Sequence, residues 1–419
     1  MERAMIDCHT RSGIALVAWT VAFVGAILGT ILAEARAGAS PQDARVNVTA
    51  YASAGDGSSA KPWVNALRNA LEAKGGGTTY YMPAGNYQDE STLWIKDNDI
   101  SIEGDGGAST IATTVLYDEI DGSTCWKFAP PEQAEGKYIN GITVRGICFR
   151  GRGKPTGSAI EIEAMRRGMF EDLAVWRWDG DKKDFSNKGI WIKGWDTLTF
   201  RNIRVYRVPK CIYIDKNPNF PSLDADHFHF QDIYLVAGNR ERGIGMEIVA
   251  PHVTNVTVDG TNAICHVQKG IYLHNRGTGG HGTNVSLNDI RVESGSRPGA
   301  WGVYVDTDYI VNFLVKNVRT SGGFNGFYVH GAAGLTLMNC YAMGGTFFKD
   351  SGYVAYDLDA YGDTSVVMIN ATCNKGPSQG YRPDTTIKVA DKLQLAAGDG
   401  LRVYQNGAKV QINGLLQSE

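Results

Sequence analysis

One short pattern recurs from residue 144 to residue 371 and leaves few folds open. It reads apolar, any, Asn/Asp/Gly, apolar. Its copies are Val144-Arg145-Gly146-Ile147, Phe170-Glu171-Asp172-Leu173, Phe200-Arg201-Asn202-Ile203, Phe230-Gln231-Asp232-Ile233, Val253-Thr254-Asn255-Val256, Leu287-Asn288-Asp289-Ile290, Val315-Lys316-Asn317-Val318, Leu337-Met338-Asn339-Cys340 and Met368-Ile369-Asn370-Ala371. The marker residues lie 26, 30, 30, 23, 34, 28, 22 and 31 apart, a mean of 28. Between successive markers falls a second pattern: small, apolar, any, apolar. Ala159-Ile160-Glu161-Ile162 and Gly189-Ile190-Trp191-Ile192 are its first copies, and Ala355-Tyr356-Asp357-Leu358 is its last. Period-two alternation predicts strands with one buried face.

A strand that returns every ~28 residues with variable connections predicts an all-β chain. The expected architecture is a right-handed, single-stranded parallel β-helix whose strands stack about 4.8 Å apart per coil. The marker row then becomes a ladder of polar side chains. Asp172, Asp232 and Asp289 are expected to be structural there, because buried polar groups need partners. A propeller would need repeats of ~40–45 residues with four strands each. A leucine-rich repeat would need closely spaced leucines, which are absent.

Segments outside the repeat are expected to close its ends. Pro62 to Lys74 is amphipathic, with Pro near its start and Gly75 to Gly77 after its end, and predicts a capping helix. Residues 40–383 are read as the parallel β-helix domain including this N-terminal cap, and 384–419 as the C-terminal cap of the same domain. Residues 1–39 stand apart. Arg3 and Arg11 precede an uncharged, mostly apolar stretch, Ser12 to Ala33, followed by small-residue patterns at Ala35-Arg36-Ala37 and Ala37-Gly38-Ala39. This is a cleaved secretory signal or a retained anchor. Either route exports the remainder, to a secreted or periplasmic location, with membrane contact only through residues 12–33.

Charge narrows the partners. Lys and Arg total 41 against 44 Asp and Glu, a net charge of −3, without the basic excess of a nucleic-acid binder. Seven cysteines (8, 125, 148, 211, 265, 340 and 373) form no CxxC pair, which argues against a zinc or thioredoxin-type site. Export permits disulfides, and several cysteines fall on core positions suited to buried thiols.

Further residues carry a resemblance. They are Thr49-Ala50-Tyr51, Gly55-Asp56-Gly57, the helix, Gly75-Gly76-Gly77-Thr78, Met82-Pro83-Ala84-Gly85-Asn86-Tyr87 and Ile102-Glu103-Gly104-Asp105-Gly106. The stretch from Val48 to Thr110 resembles the opening of the pectate-lyase-like superfamily, which includes rhamnogalacturonase-type enzymes, epimerase-like proteins and phage tail spikes. The family's acidic run before the helix is replaced by Ser59-Ala60-Lys61-Pro62. The resemblance implies a polysaccharide as substrate and a monomer or homotrimer, and carries over no catalytic residues. Gly280-His281-Gly282 matches the Gly-His-Gly of polygalacturonases without its Asn-Thr-Asp and Asp-Asp companions. Asp226-His227 matches a pectate-lyase pair without its surroundings.

In the small-apolar-any-apolar strands the third position points outward. Stacked by coil, that row is Glu161, Trp191, Tyr213, Glu247, Tyr272, Tyr304, Tyr328 and Asp357. Two residues on lie Glu163, Lys193, Asp215, Val249, His274, Asp306, His330 and Asp359. Aromatic rings suit sugar faces, and carboxylates and imidazoles suit proton transfer. The alternative is that such stacks only stabilise a long sheet. The candidate catalytic residues are Asp215, Glu247, Tyr272, His274 and Asp306. The candidate substrate-binding residues are Trp191, Lys193, Tyr213, Tyr304, Tyr328 and His330.

Three functions fit. Glycoside hydrolysis needs an acid and a base or nucleophile, from Asp215 with Glu247 or Glu247 with Asp306. Carboxylates outnumber cations on the two rows, which tips the reading toward hydrolysis. β-Elimination of a uronate needs a base, His274 or Tyr272, and a neutraliser, Lys193, an arginine or a bound cation such as Ca2+. A non-catalytic glycan-binding or tail-spike-like surface protein is the third. The loop Asp224-Ala225-Asp226-His227-Phe228-His229 is expected to overhang this region. A metal there is the minor alternative to a solvated loop, and no metal ligand is assigned.

Overall fold

A computed structural model describes residues 45–413 apart from short internal stretches, among them 217–224, 276–280 and 376–384. The segment Ser12 to Ala33, Cys8 and Asp224 lie outside the described residues. No described helix is long and apolar enough to cross a membrane. Residues from Val46 onward form one compact unit.

The chain is a parallel β-helix, and each coil contributes strands to three faces. The first face stacks Ser158–Glu163 on Lys188–Lys193, then Lys210–Asp215, Ile244–Ile248, Lys269–His274, 301–306 and 325–330. The second stacks Phe170, Phe200, Phe230, Val258, Leu287, Val315 and Leu337. The third stacks Val175, Val205, Leu235, Ile264, Val292, Thr320 and Ala342. All of these pairings are parallel.

The alternation read from sequence sets which side chains enter. Ile160, Ile190, Ile212, Met246, Ile271, Val303, Phe327 and Tyr356 are buried at one inward position, and Ile162, Ile192, Ile214, Ile248, Leu273, Val305, Val329 and Leu358 at the next. Each such burial is worth roughly 1.5–3 kcal/mol. On the second face Phe170, Phe200 and Phe230 stack with centroids 5.1 and 4.9 Å apart. The small residue of the pattern has a steric reason. A Cβ at Gly270 would lie 2.3 Å from Val292 Cγ1 and 2.4 Å from the Gly302 carbonyl oxygen.

The marker row turns the corner between the second and third faces. Gly146, Asp172, Asn202, Asp232, Gly260, Asp289, Asn317 and Asn339 all have φ between 50 and 71°, a left-handed conformation that Gly, Asn and Asp tolerate best. Their side chains form the expected ladder: Asn202 Nδ2 donates to Asp172 Oδ1 at 2.5 Å, Asn317 to Asp289 at 2.7 Å and Asn339 to Asn317 at 3.1 Å. One marker differs from the expected row. The fifth member is Gly260, not Asn255, which evens the spacings of 23 and 34 to 28 and 29. Asn255 belongs to a second left-handed row between the first and second faces, with His227, Asn284 and Asn312.

The N-terminal helix, α1, is Ala66–Lys74 and buries Ala66, Leu67, Ala70 and Leu71. It starts later than the pattern from Pro62 predicts. Trp63–Val64 pairs instead with Tyr87–Gln88, and Asn65 turns at φ 53°. Toward the C-terminus, Thr385–Ala390 pairs parallel with the preceding coil, and Ala408–Asn413 pairs with it in turn. Among the described residues Cys125, Cys148, Cys211 and Cys340 are buried free thiols, and Cys265 is a half-buried one. Burial pushes the Cys148 thiol up to about 12, so it stays protonated and unreactive.

Candidate functional site

The first face presents one outward strip. Its main row is in continuous register: Glu161, Trp191, Tyr213, Glu247, Tyr272, Tyr304, Tyr328 and Asp357. In the second row Glu163, Lys193 and Asp215 are aligned, and so are His274, Asp306, His330 and Asp359. The side chain of Asp359 lies outside the described residues.

At the N-terminal end of the strip, charges neutralise one another. Lys193 Nζ lies 2.7 Å from Glu161 Oε1 and 2.6 Å from Glu163 Oε1, and Lys127 Nζ lies 2.8 Å from Glu163 Oε2. Thr124 donates to Glu161 Oε2 at 2.7 Å. Burial works to raise the Glu163 carboxyl, but the bonds from Lys127 and Lys193 outweigh it and hold the group at about 2. Burial likewise opposes the Lys193 charge, yet Glu161 and Glu163 keep that ammonium above its usual range.

Toward the middle, histidines join. Glu247 is 6% exposed and sits between Lys210 Nζ at 2.8 Å and His274 Nε2 at 3.0 Å. Burial raises its carboxyl, but these two partners bring it below the ordinary carboxylate range. An ionised carboxylate only accepts, so His274 Nε2 carries a hydrogen, and in the neutral imidazole the lone pair is on Nδ1. The imidazole stacks on Tyr272 with centroids 3.9 Å apart and planes at 16°. Burial, with Glu247 next in effect, pushes the Tyr272 hydroxyl up to about 12, so it is a proton donor and not a base.

Two coils further, the arrangement returns with its direction reversed. His330 Nε2 lies 2.9 Å from Asp357 Oδ1, and its ring stacks on Tyr328 at 3.9 Å and 12°. Asp306 occupies the register position between the two histidines, and Tyr304 stacks on Tyr328 at 4.3 Å. Trp191 and Tyr213 contact each other at 6.3 Å. Asp215 accepts from the Lys216 backbone N–H at 2.8 Å.

Sequence reasoning missed four lysines of the strip: Lys127, Lys188, Lys210 and Lys269. Lys188 Nζ lies 4.0 Å from the Trp191 ring centroid and Lys210 Nζ 4.5 Å from that of Tyr213. Lys269 Nζ sits over Tyr272 at 3.4 Å and Tyr304 at 4.0 Å. Among the described residues, neither Lys188 nor Lys269 has a carboxylate within salt-bridge range. Burial depresses both, Lys269 to about 8. A signal existed in the sequence: Lys188-Gly189-Ile190-Trp191, Lys210-Cys211-Ile212-Tyr213 and Lys269-Gly270-Ile271-Tyr272 place a lysine before the small residue each time. These lysines cut the excess of carboxylates over lysines on the strip from seven against one to seven against five, which weakens the ground for preferring hydrolysis.

The expected overhanging loop is, from residue 225, a strand. Ala225–Gln231 pairs with the second face through Leu198 with Phe228 and Phe200 with Phe230, because its phenylalanines fill the core. Asp196, Asp226 and His227 bring ligand atoms within 4.8 Å of one another. However, both nitrogens of His227 are engaged. Nδ1 lies 2.9 Å from Asp226 Oδ1, and Nε2 lies 3.1 Å from Asn255 Nδ2. Asn284 donates in turn to Asn255 at 3.0 Å and Asn312 to Asn284 at 3.1 Å. His227 ends an asparagine ladder, and no lone pair of its ring is left for a cation.

No family model and no curated protein matches the chain. Solved structures do. The A-module of mannuronan C-5 epimerase AlgE4 from Azotobacter vinelandii aligns with 89% of this chain and all of that one, at TM-score 0.50 and 15% identity. A tailspike, gp42 of Acinetobacter phage vb_AbaP_AS12, aligns with 90% of this chain at TM-score 0.46 and 12% identity. The catalytic domain of a GH87 alpha-1,3-glucanase in complex with nigerose aligns with 88% of this chain and 70% of that one, at TM-score 0.41 and 14% identity. ORF18 of Geobacillus virus E2 aligns with 90% of this chain at TM-score 0.39 and 13% identity. The chain spans 64% of the tailspike and 62% of ORF18. At such identities the likeness is one of fold.

Proposed function

We propose that this chain, once exported, binds an acidic polysaccharide along the strip and cleaves it by β-elimination at a uronate. The observation that carries the reading is Lys269, an ammonium over the rings of Tyr272 and Tyr304 beside the His274–Glu247 pair. A lysine without a described acidic partner, on a surface of flat aromatic rings, suits a sugar that itself carries a carboxylate.

The geometry supports the following roles. Lys269 neutralises the sugar carboxylate, which makes the adjacent C5 proton more acidic. His274, held in one tautomer by Glu247, removes that proton through Nδ1. The electron pair left on C5 forms the C4–C5 double bond as the C4–oxygen bond breaks. Tyr272 donates its proton to the departing oxygen. Two-carboxylate hydrolysis fits less well, because Glu247 belongs to both candidate pairs. It is already bonded to Lys210 and His274 and is held below the range of a proton-donating acid. The tail-spike-like reading shares the strip but not the turnover.

The test is incubation of the protein with a panel of uronate-containing and neutral polysaccharides. Both reducing ends and ultraviolet absorbance of unsaturated uronates are followed, with and without a chelator. The expected result is that both signals rise together, on acidic polymers only, and persist in the chelator. Reducing ends without absorbance overturn elimination in favour of hydrolysis. Binding without either signal overturns the enzyme reading.

A further inference from the structure

The described strip does not end at Glu161. Lys127 is in register with Glu161, and Trp94 with Lys127, so the same outward row continues two coils toward the N-terminus. We infer that Trp94 is a distal sugar-stacking platform that holds a long polysaccharide chain far from the reactive coils. This deepens the proposed function and rests on the strip being the polysaccharide-binding surface.

Three observations carry it. First, Trp94 is 43% exposed although its strand neighbours Leu93 and Ile95 are buried. Second, its indole N–H donates to the Ala129 carbonyl at 2.9 Å. The polar edge of the ring is therefore satisfied by protein, and what remains toward solvent is apolar, fixed in orientation by that bond. A ring so held loses little freedom on binding, which favours stacking. Third, its position is not shared. Of the large hydrophobic residues exposed among those described, Tyr138 lies under the Arg166 guanidinium, and Met169 and Tyr234 lie on other faces in register with Thr199 and Arg204. Only Trp94 falls on the strip row.

The placement states what kind of ligand is meant. Trp94 and Tyr272 are six coils apart, roughly 29 Å at the spacing of neighbouring strands. A chain reaching both must run along the solenoid axis and be several sugars long. Trp94 therefore selects polymers over short fragments.

The experiment measures binding, so it does not depend on turnover. Affinity of the full-length protein, Trp94→Ala and Trp94→Phe is compared on an acidic polymer that the parent binds and on di- and trisaccharide fragments of it. A stacking contact of this kind predicts a roughly 3–10-fold loss for Trp94→Ala on the polymer. The loss is absent on the fragments, and Trp94→Phe recovers most of it. Thermal melts of each variant establish that the fold is kept. Unchanged polymer affinity, or an equal loss on polymer and fragments, overturns the platform. If the parent binds no polysaccharide at all, the platform and the proposed function fall together. If the parent binds but produces no unsaturated ends, only the elimination chemistry falls.

Discussion

The strip is built from one strand pattern, yet its two ends treat charge differently. At one end Lys127, Lys193, Glu161 and Glu163 are locked into one ionic network, with each glutamate contacting both lysines. From Glu247 to Asp357, Glu247 and Asp357 each face an imidazole, the imidazoles stack on tyrosines, and Lys269 rests on rings and on no described carboxylate. A saturated network is rigid and electrically quiet, whereas an ammonium held on aromatic faces still has its charge to offer. The same repeat thus supplies a support at one end and a reactive surface at the other.

The comparison yields predictions of decreasing size. Substituting the base, His274→Gln, should lower the rate of unsaturated-uronate formation by roughly 10²–10⁴-fold, read by absorbance at saturating polymer. A loss confined to affinity would make the two ends alike.

In the network, Glu163→Gln leaves Lys127 and Lys193 short of a counter-charge. It should cost about 3–5 kcal/mol, the usual effect of breaking a buried pair, seen as a lower denaturation midpoint. The sign with pH is fixed by Glu163 being held at about 2 against an ordinary 4.5. Its stabilising contribution is complete above the ordinary value and is lost as pH falls toward 2. Parent and variant melts should therefore converge in acid. Constant separation down to pH 2 would contradict the network.

Lys269→Met should weaken binding of an acidic polymer roughly 10-fold at pH 7. Since the Lys269 ammonium is lowered to about 8, the parent should also lose affinity as pH rises through that value, and the variant should lack this step. Lys188 is the sharper control. It lies at the network end without a described carboxylate partner, but it donates to the Ser186 carbonyl at 3.1 Å. Lys188→Met should cost only about 3-fold in polymer affinity. An effect equal to that of Lys269→Met would erase the distinction between the ends.

Much of this molecule was legible beforehand, for reasons that can be located. Strand positions and their facing follow from local alternation, so the row from Glu161 to Asp357 came out in register. The marker residues follow from a backbone requirement, φ near 50–70°, that only a few residue types meet easily. Where two corners carry the same requirement, local reading confuses them. Asn255 and Gly260 are five residues apart and both left-handed, and only cross-coil register assigns each to its ladder. At residues 225–231 the alternation of Phe228 and Phe230 already reads as inward strand positions, and their burial makes the segment a strand of the second face where the polar residues around it suggest an overhanging loop.

The sequence by itself determined the solenoid, its outward row and the residue types on that row, because period-two alternation and corner conformation act over a few residues. Only the tertiary structure decided which charges cancel. Glu163 and Lys193 are 30 residues apart, Glu247 and His274 27 apart, and Trp94 and Ala129 35 apart. Such pairs meet only when coils of unequal length stack. Electrostatic neutralisation depends on distances of a few ångströms that no local pattern encodes.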